Sequence, residues 1–275
     1  MHCNDQHDKY QRSIFRTIYV FFLCLAFTSP AVSFGKVKKP LLGQVSAQDT
    51  QKPPPVFVGI GYGKPPYIFE ETHQGFFLDI IDRAFKNVGR EVRYVYLPTR
   101  RLLRFEGLDK IDAIGGAPMV NKDHCQSTRF MQFQNVVIYG RDVPDIKTLD
   151  DLKKHSLAAF QNAKIILGPD YRKAVSRSPN YYEMINQRSQ VRVFLKGRFD
   201  AAVMDRNIFQ YWMNHFRDTE GLIRSYKIAR LFNWETNMGL EFKDPDICNQ
   251  FNRGLAQMKQ AGLIAKLRSK YRMLD

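Results

Sequence analysis

The glycine cluster Gly59-Ile60-Gly61-Tyr62-Gly63 is dense enough to approach a phosphate. It spells GxGxG, however, and not the GxGxxG that lays a pyrophosphate on a helix N-terminus. Lys64-Pro65-Pro66 follows where that helix would begin, so no dinucleotide cofactor is expected. The six histidines are scattered without HxxxH or HExxH spacing, and no metal site is expected. No GxSxG elbow presents a serine nucleophile, and Cys125 carries no local protease signature. Were the chain an enzyme, general acid–base work would fall to Glu70, Asp79 or His124. Four cysteines with no CxxC pair argue against a zinc finger and a thioredoxin-type redox site.

These residues sit in 275 residues that are 44% hydrophobic and 25% charged, which excludes disordered, collagen-like and disulfide-dense classes. The formal net charge of +15 points to anionic partners. No basic–aromatic strand motif accompanies it, so nucleic acid is not the expected partner. Lys9, Arg12 and Arg16 precede the apolar run Ile18 to Phe27 and the small-residue stretch ending Ala31-Val32-Ser33. That pattern reads as a secretory signal peptide over 1–33. Ten apolar residues fall well short of the roughly 20 that span a bilayer as a helix, and Leu23 before Cys24 argues against a lipidation site. Cleavage removes three basic and two acidic residues and leaves the remaining 242 at +14. Cys125 and Cys248 then remain in an oxidising compartment, where they can pair, although spacing alone leaves the bond open.

Residues 34–55 lack hydrophobic period and end in Pro53-Pro54-Pro55, a flexible tether stiffening before the fold. Val56 to Gly61 reads as a strand, Gly75 to Gly89 as a helix with Phe77, Ile81, Ala84, Phe85 and Val88 on one face, and Val92-Tyr94-Tyr96 as an alternating strand. Thr99 begins a short helix containing Leu102, Leu103 and Phe105, and Ile111 to Ile114 is a buried-type strand. The alternation then repeats: Thr148-Leu149-Asp150-Asp151 is a capping box, 157–160 a strand, 189–196 a helix, and 199–204 a strand. Asp205 is placed to cap a helix over 206–216. Two α/β lobes with parallel sheets follow. One segment repeats in outline: Phe105 to Ile114 and Phe194 to Val203 are each a helix end, a glycine stop, then Asp-Ala opening a strand.

Taken in order, the following pieces resemble one family: Pro66-Tyr67, Gly75 to Ile80, Pro98 to Leu103, Asp112-Ala113-Ile114, Leu149 to Lys153, Gly197 to Asp205, Asn237 to Leu240, and the tail from Phe251 to Tyr271. They are similar to the periplasmic solute-binding proteins of the polar amino-acid class (extracellular solute-binding family 3), which feed ABC importers. The resemblance implies the two-lobed type II binding-protein fold, with two crossing strands joining lobe one (56–137 and 233–275) to lobe two (138–232). It implies a periplasmic monomer, not an enzyme, that closes over a small-molecule ligand and docks on an ABC permease in the inner membrane. A sensory or partner-binding domain and a periplasmic dehydratase are alternatives on the same fold.

In this family Asp205 corresponds to the carboxylate that meets the ligand's amino group, at the carboxyl end of a sheet strand, where ligands of open α/β sheets bind. Other positions depart from the pattern. Gly115-Gly116-Ala117-Pro118-Met119 lacks the usual hydroxyls, His124 lies near the usual arginine, and Phe160-Gln161-Asn162-Ala163 replaces a Gly-Thr pair. Gly116, Met119 and Asn162 are therefore candidates by position only. Arg101, on the first turn after Pro98, is expected to substitute as an anion anchor. Tyr67 either stacks on the ligand or covers the core, and Trp234 reads as hinge packing.

Overall fold

The computed structural model describes residues 52–116, 121, 123–232 and 236–274. The signal segment, most of the tether, Met119 and Trp234 lie outside them.

In lobe one, β1 (Val56–Ile60) leads through α1 (Phe76–Asn87) to β2 (Val92–Tyr96), then α2 (Thr99–Leu102) and β3 (Ala113–Gly115). The chain continues through β4 (Cys125–Gln126) and β5 (Met131–Phe133) to β6 (Asn135–Gly140), the first strand of lobe two. There β7 (Leu157–Phe160) is followed by α3 (Ala163–Ile166), α4 (Gly168–Val175), β8 (Tyr181–Met184), α5 (Gln187–Leu195), β9 (Ala201–Asp205), α6 (Arg206–Glu220) and β10 (Tyr226–Ala229). The return crosses by β11 (Thr236–Met238) into β12 (Leu240–Phe242), α7 (Pro245–Gln260) and α8 (Leu263–Lys270).

The two sheets repeat one plan. Sheet one runs β2-β1-β3-β12-β4 and sheet two β10-β6-β9-β7-β8. In each, three parallel strands have the first in the middle, and an antiparallel strand joins beside the third: β12 in one, β6 in the other. Antiparallel β5 and β11 form the ribbon between the lobes. The repeated Asp-Ala has a cause in this plan. Asp112 accepts from Phe57 N (2.7 Å) and Asp200 from Ser156 N (2.8 Å), so each carboxylate ties the start of its third strand to the start of the neighbouring first strand.

Helix α1 buries Phe76, Phe77, Leu78, Ile80, Ile81, Ala84 and Phe85, the phenylalanine, leucine and isoleucine side chains each contributing about 1.5–3 kcal/mol when fully covered. Its partner α7 comes close because Gly254 has no side chain: a Cβ there would stand 1.9 Å from Ala84 O. Cys125 on β4 and Cys248 on α7 are joined by a disulfide, S–S 2.15 Å. The expected capping box is present: Asp151 accepts from Thr148 N (2.9 Å) at the start of the 3-10 helix 149–154. Two boundaries differ from the sequence expectation. Helix α2 ends at Leu102, leaving Leu103 exposed and Phe105 in a separate 3-10 turn. Helix α6 runs on to Glu220 because Gly221, at φ +64, is the first residue suited to end it.

Candidate functional site

Asp205, last residue of β9, sits at the seam between the lobes, 3% exposed. Its Oδ1 accepts from Asn207 N (2.9 Å) and Ile208 N (3.0 Å), which makes it the N-cap of α6. The same carboxylate reaches outward. Oδ2 accepts from Gln134 N (2.8 Å), and Oδ1 accepts from the Tyr67 hydroxyl of lobe one (3.1 Å). Four described donors surround it. Burial raises its pKa to about 6, against the pull of those hydrogen bonds.

Tyr67 is 1% exposed. It covers the seam: its ring meets Phe133 edge-on at 4.8 Å between centroids, and its hydroxyl also accepts from Asn207 Nδ2 (3.0 Å). Burial and the adjacent Asp205 push its phenol well above the ordinary range. The loop bearing it is held by Gly75, at φ +138, where a Cβ would stand 2.2 Å from Tyr67 O. Asn207 is a junction, since its Oδ1 accepts from Leu274 N (2.7 Å) at the end of the lobe-one tail. Tyr67, Asp205, Asn207 and the C-terminal strap thus form one network across the lobes.

The other candidates are placed as follows. Gly116, at φ +74, follows β3 near Ile68 and the backbone of Gly61. Asn162, at φ +64, precedes α3, and there the Glu183 carboxylate accepts from Asn162 N (2.8 Å) and Lys164 N (2.9 Å). Tyr181 donates to the same carboxylate (2.9 Å). The protein's own glutamate therefore occupies these amides. Arg101 is exposed on α2. His124 lies between Glu241 Oε1 (2.7 Å) and Glu106 Oε1 (3.0 Å), with Glu241 only 1% exposed, so it is part of a lobe-one ion cluster. Glu70 accepts from Gly63 N (3.3 Å) and Asp79 from Lys270 (2.7 Å) and Tyr271 (2.8 Å). No group of three His, Cys, Asp or Glu is placed to hold a metal among the described residues.

Sequence reasoning passed over Glu183, Asn207 and Lys64. Lys64 alone left a signal, a basic residue inside the Gly-Pro loop that carries Tyr67. Its ammonium stands 5.9 Å from the Phe133 ring centre at the seam, and burial lowers its pKa.

Two lobes of matching topology, with a buried carboxylate and a tyrosine meeting at their seam, define a two-lobed binding protein of the type II class. Residues 56–273 match the family described as bacterial extracellular solute-binding proteins, family 3, and the chain belongs to it. Solved structures share the fold at low identity. An ancestral arginine-binding protein bound to arginine superposes with TM-score 0.61 at 19% identity, covering 80% of this chain and 99% of that one. A histidine kinase sensor domain with similarity to periplasmic binding proteins gives 0.63 at 17%, covering 80% and 96%. An ancestral amino-acid-binding protein described as a precursor of cyclohexadienyl dehydratase gives 0.60 at 21%, covering 78% and 94%. A search of curated protein sequences returned no match.

Proposed function

We propose that this chain is a periplasmic solute-binding protein, exported by the segment 1–33, that captures a small polar solute between its lobes and delivers it to an ABC permease. The lobes are 56–137 with 233–275, and 138–232. The observation that carries the reading is the Tyr67–Asp205 hydrogen bond across the seam (3.1 Å). A ligand that replaces this contact with its own bonds to both lobes favours one lobe arrangement by differential affinity, which is how a hinged solute trap works. Tyr67, Gly116, Asn162 and Asp205 line the capture site, and Arg101 draws anionic groups to its rim. The basic surface of the exported chain, +14, suits an anionic membrane or an acidic permease face.

A second reading has its own support. Asp205 has four donors and the amides before α3 are filled by Glu183, so groups that would grip an amino acid are already satisfied within the protein. A partner-binding or sensory domain of the same fold fits that self-sufficiency.

A thermal-shift screen of residues 34–275 against amino acids, small carboxylates, oligopeptides and polyamines separates the two. A ligand at 100 times its Kd stabilises the folded state by about 2.7 kcal/mol, and solute capture predicts at least one such shift. Cooperative melting with no shift from any probe at millimolar concentration overturns solute capture in favour of the partner-binding reading.

A further inference from the structure

The seam holds one positive charge that its surroundings do not answer. Lys64 sits three residues before Tyr67 in a closed turn, with Tyr67 N donating to Lys64 O (2.9 Å) and Lys64 N to Ile68 O (2.9 Å). Its Nζ lies over Phe133, whose ring packs on Tyr67, which in turn bonds Asp205. Cation, two rings and carboxylate therefore follow one another along the seam. Some lysines of the described fold have carboxylate partners, as Lys270 has Asp79 and Lys227 has Asp145. No described carboxylate pairs with Lys64, and burial acts on its amine without an opposing charge. A ring face at 5.9 Å is a much weaker partner than a carboxylate. A half-buried ammonium without a carboxylate beside it is suited to take an anion.

The rest of the site says which outcome suits it. The amides ahead of α3 are occupied by Glu183. Arg101 is exposed, where water and salt screen its charge. We propose that Lys64 is the anion anchor of the cleft, its ammonium pairing with the carboxylate of the captured solute above the Phe133 ring. This rests on the solute-capture reading and narrows it to carboxylate-bearing small molecules. It also moves the anchor from Arg101 on the rim to a half-buried lysine beside Phe133.

The test uses the exported chain in buffer free of carboxylates and phosphate. NMR titration of the lysine side chains should find the Lys64 amine below the ordinary lysine range, and succinate should move it back up while raising Tm. In K64M, with K64Q as the second variant, the succinate concentration needed for the same Tm rise should increase at least tenfold, and K64R should retain the response. An ordinary Lys64 titration, or an unchanged succinate response in K64M and K64Q, overturns the anchor while leaving solute capture standing. A response to inorganic phosphate but not to succinate overturns the carboxylate assignment. The absence of a shift by any probe, polyamines and amino acids included, removes solute capture and the anchor with it.

Discussion

Replacing Asp205 by Asn keeps the shape of the seam and removes its charge. The native carboxyl holds its proton up to about pH 6, whereas the same group unfolded releases it near 3.8. Between those values the unfolded state binds fewer protons than the folded one, so stability falls as pH rises and the loss is complete above about 6. The gap amounts to about 3 kcal/mol. This is the reverse of an ordinary salt-bridged aspartate, and its cause is that desolvation outweighs four hydrogen-bond donors. D205N abolishes the slope. Its amide still accepts at the α6 N-terminus, but its NH2 faces Gln134 N, a donor against a donor, at a cost of about 1–3 kcal/mol. The variant should therefore be less stable than the native chain at pH 4, and the difference should shrink or invert by pH 7. Urea unfolding of both proteins at pH 4, 5, 6 and 7 reads this directly. Parallel stability curves, or a gap that widens with pH, would refute the reasoning by showing that the donors outweigh burial and the carboxylate is most stable charged.

Two further expectations rest on packing. Gly254→Ala, ordinarily worth about 1 kcal/mol to a helix, should instead destabilise by about 1–3 kcal/mol, because the new methyl meets Ala84 O at 1.9 Å and must force α1 from α7; a variant at least as stable in chemical denaturation would contradict the close approach. Cys248→Ala and Cys125→Ala should each cost about 2–4 kcal/mol by releasing a loop of 123 residues in the unfolded chain. Since either one breaks the same bond, the double variant should cost little more than a single one, and additive losses would count against the pairing.

The local elements were legible because their signals are short-range. The one-sided apolar spacing of α1, the glycine stops, the Thr148–Asp151 cap and the cap at Asp205 each depend on neighbours within a few residues. The repeated Asp-Ala marked both third strands because the same tie to the first strand is needed twice. Strand β8 was missed since an edge strand reading Tyr-Tyr-Glu-Met, half-exposed, lacks a buried-strand pattern. The antiparallel β6 and β12 gave no sign of which sheet they would join, because each pairs with strands distant in sequence.

From sequence alone came the two α/β lobes, the family, the +14 of residues 34–275 and Asp205 as a residue at a strand's carboxyl end. Tertiary structure alone decided what Asp205 touches. Its partner Tyr67 is 138 residues away, and whether a tyrosine meets a ligand or a carboxylate depends on how two separately formed lobes come together. The same holds for Glu183 reaching the amides before α3, for Cys125 finding Cys248, and for Lys64, whose type was plain in the chain but whose burial over Phe133 was not. Periodicity reports which face of an element is covered, and it carries no record of which distant side chain does the covering.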